Sequence, residues 1–211
     1  MYRSTGNPFR LLELAALVIS LLLLACYTVA AGHLTRHMLL HIGLMTVLAP
    51  LLASWMQRNQ KPFPGAAVPW FLPLATIAQL VLFFIWHSPQ MLIWMMSSPI
   101  LHSTMQVVLL VVATAFWSSV LQRSDTAMWS AVVALLLTGK LFCLVALILV
   151  FAPRALYGGM GGHHPAMDLA DQQLAGLLMI TACPLTYILA AILLVARWLR
   201  HLGDGPWQRQ A

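Results

Sequence analysis

Long apolar runs separated by short polar connections organise this chain. They cover Leu11–Ala31, Met38–Met56, Trp70–Trp86, Leu101–Leu121, Met128–Ala152 and Leu174–Leu199. A helix needs roughly 17 to 25 apolar residues to cross the hydrocarbon of a bilayer, and each run is in or near that range. The pattern predicts an all-α fold: a polytopic integral membrane bundle of six transmembrane helices, forming one domain over residues 1–211. The first run follows Arg3 and Arg10 and precedes Ala30, Ala31 and Gly32, as in a signal peptide. Its apolar stretch exceeds the usual signal core of about 7 to 15 residues, so it reads as a retained helix. Pro50 and Pro184 fall inside the second and sixth runs. Each lacks the N–H its helix needs and predicts a kink with a freed carbonyl that protein neighbours must satisfy.

Composition supports the membrane reading. Hydrophobic residues make up 61% of the chain and charged residues 8%, against about 25% charged in soluble domains. The net charge of +6 points to topology rather than to nucleic acid, because Lys and Arg concentrate in cytoplasmic loops. Arg3, Arg10, Arg58, Lys61, Arg123, Arg197, Arg200 and Arg209 lie on one side of the alternating spans, and only Arg36 and Arg154 on the other. Both termini are therefore expected to be cytoplasmic. Lys140 sits within the fifth span with no acidic residue at equal depth, and is expected to face the bundle interior. Cys26, Cys143 and Cys183 are spaced singly inside apolar runs, which excludes a disulfide framework or CxxC redox motif.

This orientation brings seven of the eight histidines to the outer end: His33, His37, His41, His87, His102, His163 and His164, leaving His201 inside. Ionisable side chains near a bilayer tend to mark a site. His33, His37 and His41 are spaced four apart, so on a helix each step drifts only about 40° and the imidazoles form one stripe, extended by Met45. Two readings stand: ligation of a metal or haem, or hydrogen bonding to neighbouring helices and water. His87 closes the third span and His102 opens the fourth, with Met91, Met95 and Met96 between them in an outer connection that suits a short interfacial helix. Gln106, one turn after His102, is placed either to hold an imidazole in one tautomer or to pack between helices.

The segment Met160-Gly-Gly-His163-His164-Pro-Ala-Met167 combines thioether and imidazole donors in the longest outer loop, beside Gly158 and Gly159. Thioethers favour Cu(I), and imidazole accepts Cu, Zn or Fe. The loop reads equally as a copper-feeding segment or as a solvated connection. Asp171 begins the final span and either caps that helix or joins a metal site. No P-loop, dinucleotide-binding glycine pattern, HExxH or GxSxG is present, and the only spanning carboxylate is Glu13 near an edge. Neither an enzyme nor a proton-driven pump is expected.

The segments His37–Ala53 (HMLLHIGLMTVLAPLLA), Trp86–Pro89 (WHSP), Leu101–His102 and Asp171–Met179 (DQQLAGLLM) resemble, in order, the CtaG family of cytochrome c oxidase assembly factors. The resemblance covers most of the membrane core. It implies a bacterial inner-membrane protein that matures a haem–copper oxidase by supplying copper to the buried copper B centre of its catalytic subunit. It transfers importance to His37, Met38, His41, Pro50, His87, His102, Asp171 and Gln172, and more loosely to His33. The chain departs from many relatives in being shorter. It also has Ala49-Pro50-Leu51 in place of their Pro-Pro pair, and Ile180-Thr-Ala-Cys183-Pro184 in place of Trp-x-Pro-Gly.

The expectation is a non-enzymatic protein with a Cu(I) site facing the periplasm. His37, His41, His87 and His102 would form the site, and His33 and Asp171 would complete or orient it. Met160, His163, His164 and Met167 would feed it, and a periplasmic copper chaperone would be a further partner beside the oxidase and membrane lipid. The rival expectation is a b-type electron carrier with histidines as axial haem ligands. A metal transporter is weaker, because the cytoplasmic half lacks donors.

Overall fold

A computed structural model describes residues 32–123, 127–157 and 165–203. The first apolar run and the loop residues Met160, His163 and His164 lie outside the described residues. Six helices occupy them: α1 (His33–Arg58), α2 (Phe71–Trp86), α3 (Pro89–Met96), α4 (Pro99–Leu121), α5 (Met128–Phe151) and α6 (Pro165–Gly203). No strand is present among the described residues. Four of these helices are long and apolar enough to cross a membrane, and α2 with α3 would make a fifth span bent by 82°. The described residues form an all-helical bundle with four to five candidate membrane spans.

Proline and glycine set the boundaries. Ser88 and Ser98 are extended immediately before Pro89 and Pro99, which open α3 and α4. A residue preceding proline is pushed out of the helical region, and proline suits the first helical turn. The chain therefore turns sharply after His87 and again before α4. The apolar pattern starts the last span at Leu174. The helix itself starts at Pro165, so Asp171 and Gln172 lie inside α6 rather than at its start.

α1 meets the expected proline disruption differently. It stays continuous but widens into a π-helical turn over Gly43–Leu48 just before Pro50. Pro50 has no N–H to offer the carbonyl of Met45 five residues back, and the indole Nε1 of Trp117 on α4 donates to that carbonyl at 3.0 Å. The proline thus ties α1 to α4. α6 likewise runs on through Pro184.

α1 packs on α4 and α6, α2 on α4 and α5, and α5 lies along α6 as the most extensive pair. Gly176 makes that pair close. A Cβ there would fall 2.8 Å from Val150 Cγ2 and 2.9 Å from Leu149 Cβ. Close approach at small residues is how helices gain packing energy where lipid is as apolar as their side chains. Gly176→Ala is expected to lower the yield of folded protein, as read by size-exclusion recovery from detergent.

Lys140 does not face the interior, contrary to the expectation from its position in the sequence. It is exposed on α5, on the side away from the buried stripe Leu135, Thr138, Phe142, Val145 and Leu149. Its four-carbon stem can lie along apolar surface while the ammonium reaches toward the headgroups. Lys140→Leu is therefore expected to leave abundance unchanged on an immunoblot. A severe loss would reveal a buried partner.

Candidate functional site

The N-terminus of α1, the C-terminus of α2, α3, the N-terminus of α4 and the start of α6 meet at one end of the bundle, and the histidines converge there. His37 and His41 point inward from α1, His87 caps α2, and His102 comes from the first turns of α4. His37, His41 and His87 are each no more than 5% exposed, while His102 is partly exposed. The His37 ring centre lies 5.5 Å from that of His41, 6.1 Å from His87 and 5.3 Å from His102, and His41 and His87 are 5.0 Å apart. Three segments far apart in sequence thus place four imidazoles against one another.

Their hydrogen bonds sort them into roles. His87 Nδ1 is 2.8 Å from the Phe83 carbonyl, which can only accept, so Nδ1 carries the proton and the buried Nε2 keeps its lone pair. His37 Nδ1 is 3.0 Å from His102 Nε2, and the Gln106 amide nitrogen lies 3.4 Å and 3.3 Å from the same two atoms. If His37 and Gln106 donate, both bonds end on the His102 Nε2 lone pair and His37 Nε2 is left as a free base. Gln106 thereby has the tautomer-holding geometry its spacing suggests.

Five buried polar atoms in this cluster have no hydrogen-bond partner among the described residues: His37 Nε2, both ring nitrogens of His41, His87 Nε2 and Gln106 Oε1. Unpaired buried polar groups are rare and each needs a reason. Among the described residues, no group of three or more His, Cys, Asp or Glu side chains is already arranged to hold a metal ion. The donors are gathered but not set.

The remaining sequence candidates lie elsewhere. His33 is exposed on the first turn of α1 and makes none of these ring contacts. Met167 is 61% exposed on α6. Asp171 does cap a helix, but not its own. Its carboxylate accepts from the Leu34 and Thr35 amides at 2.9 Å and 3.1 Å and from the Thr35 hydroxyl, closing the N-terminus of α1. Its role here is to seat the histidine helix, since the first amides of a helix have no partner of their own.

Two more residues complete this end: Gln172, singled out in the sequence only by the family resemblance, and Tyr157, which no motif marks. Gln172 accepts from the Leu156 amide at 2.6 Å and donates to the Leu149 carbonyl at 3.1 Å, tying the end of α5 to α6. Tyr157, buried beside the glycine-containing loop, donates its hydroxyl to the His87 carbonyl at 2.6 Å. Burial pushes the Tyr157 phenol up to about 12. A phenol that stays protonated longer in the folded state stabilises the fold fully below the ordinary value of about 10, and that contribution is lost as pH rises through the folded value. Tyr157→Phe is expected to cost about 1 kcal/mol at neutral pH. Stability measured from about pH 9 to about pH 12 should decline more steeply in the parent than in the variant, and equal slopes would remove the hydroxyl from the account.

A search of curated proteins and of solved structures finds no match to this chain. One family model, described as cytochrome c oxidase caa3 assembly factor, matches residues 11–201, a range that contains all four clustered histidines together with Asp171 and Gln172. The chain belongs to the Caa3_CtaG family of cytochrome c oxidase assembly factors.

Proposed function

We propose that this assembly factor binds Cu(I) as cargo at the histidine cluster and passes it to the catalytic subunit of a haem–copper oxidase, without catalysing a reaction itself. The observation that carries the reading is the set of three buried imidazoles, His37, His41 and His87, each with an unpartnered nitrogen at one end of the bundle. Imidazole is a competent copper ligand. The Phe83 carbonyl holds His87 as an outer-shell partner holds a metal-bound histidine, and His102 does the same for His37. His102 is then an orienting residue, and His33 and Asp171 stand outside the ligand set.

A cluster whose donors are gathered but not locked suits a carrier, which must release what it binds. His37 takes up cargo through its free Nε2 while its Nδ1 keeps the His102 contact. The Met160, His163, His164 and Met167 segment would receive copper from a periplasmic chaperone and feed the cluster. This reading puts the site at the periplasmic face of a bacterial inner membrane, in a six-span chain with both termini inside. The b-type haem alternative fits less well, since the rings contact one another rather than flanking a slot for a porphyrin.

Metal analysis and a visible spectrum of protein purified under reducing conditions test the assignment. Near-stoichiometric copper with no haem band is expected, whereas a stoichiometric haem band would overturn it. Reporter fusions at Asn59, Gln122 and the C-terminus are expected to read cytoplasmic, and a fusion at Gly161 external. An external C-terminus would reverse the proposed face.

A further inference from the structure

A second polar site lies deep in the bundle, beneath the histidines. Gln79 of α2 and Thr138 of α5 are both fully buried among apolar neighbours. Gln79 donates its amide N–H to the Tyr187 hydroxyl of α6 at 3.1 Å, but its Oε1 has no partner. The Thr138 hydroxyl has none either. It stands apart from Thr46, Thr76, Thr104, Thr114, Thr181 and Thr186, each of which bonds the carbonyl four residues back along its own helix. An unpaired polar atom in the low-dielectric interior costs far more than one in water.

The aromatic packing places these two groups at one level. Phe83 and Phe142 pack with tilted rings whose centres are 4.1 Å apart, and each lies one helical turn beyond Gln79 and Thr138 respectively. α2 and α5 run in the same direction, so stepping back four residues on both keeps the residues on facing sides at a common depth. Tyr187 fixes that depth independently. Its hydroxyl meets Gln79, its ring lies 5.7 Å from Phe142, and its Cβ would sit 3.3 Å from a Cβ built on Gly139, next to Thr138. Thus an acceptor on α2, a hydroxyl on α5 and a phenol on α6 converge at one depth, and the first two have no partner among the described residues.

We infer that this level of the bundle binds one water molecule, which donates to Gln79 Oε1 and accepts from the Thr138 hydroxyl. Water is the ligand the chemistry selects. The pair needs a small neutral molecule that both donates and accepts, and buried waters commonly serve polar groups left over in this way. A metal ion is disfavoured, because an amide oxygen and a hydroxyl bring no negative charge to offset a buried cation. The bridge locks α2, α5 and α6 in register below the tilted rings of Phe142, Phe83 and His87, whose centres are 4.1 Å apart at each step. The inference does not depend on copper.

The test is solid-state NMR of the full chain in lipid bilayers, reading magnetisation transfer from water protons to the Gln79 side-chain amide. Transfer as strong as at exposed loop amides is expected in the parent. Thr138→Val should reduce it severalfold while leaving transfer at exposed amides unchanged. A parent Gln79 amide as dry as the Phe83 and Phe142 backbone would overturn the inference, as would undiminished transfer in Thr138→Val. So would a direct hydrogen bond between Thr138 and Gln79. The parent measurement decides even if the variant folds poorly.

Discussion

Replacing His41 with alanine is expected to yield a normally inserted protein whose Cu(I) affinity falls by at least ~10- to 100-fold, the loss seen when even the outer partners of metal ligands are removed. The imidazole offers two buried nitrogens, neither of which makes a hydrogen bond of normal geometry to the described residues, so its loss breaks no set bond. His37→Ala and His87→Ala should lose comparable affinity. His102→Ala should lose less, because its Nε2 is already engaged with His37. Competition against a chromophoric Cu(I) chelator measures all four, with His201→Ala as the control at the other end of the sequence. In cells, the oxidase should still acquire haem but lose activity, with partial rescue by added copper. If the four variants keep parental affinity and full oxidase activity, the histidines serve packing and the copper proposal is wrong. Retained affinity with lost activity would make the cluster a docking surface for the oxidase.

The positions of the long helices can be read from sequence because hydrocarbon imposes a single rule over a long stretch, and proline and glycine interrupt it at fixed places. The ends of Phe71–Trp86, Pro99–Leu121 and Met128–Phe151 all fall within two residues of the apolar runs. What spacing cannot give is facing. α5 is apolar all round, so no stripe in its sequence says which side Lys140 occupies. The histidine stripe is legible on α1 alone, yet its useful length is set by α2 and α4. Each step of four drifts about 40°, which carries His33 away from the side where His87 and His102 close the cluster. Asp171 shows the same boundary between local and tertiary information. Its spacing suggests a cap, and the chemistry is that of a cap, but the helix it closes lies 137 residues earlier.

The joint between Asp171 and the start of α1 carries the largest expected structural effect. Asp171→Ala leaves the Leu34 and Thr35 amides without an acceptor at a part-buried helix start. Losing a cap costs about 0.5 to 2 kcal/mol. For a chain of this size that is up to about 8 °C of thermal midpoint. Gly32→Ala attacks the same joint from the other side. The carboxylate of Asp171 already occupies the place a Cβ on Gly32 would take, so either the carboxylate swings away and gives up the cap or α1 and α6 separate. That variant should be the less stable of the two, and it should also weaken copper binding, because His37 follows Gly32 by little more than one turn. The double variant discriminates the cause. If the carboxylate is what the added methyl strikes, removing it makes room, and Gly32→Ala with Asp171→Ala should be no less stable than Asp171→Ala alone. Neighbouring residues that share one contact fail to add in this way. Strictly additive losses would mean that Gly32 and Asp171 act separately, and that the last helix does not seat the histidines through this contact.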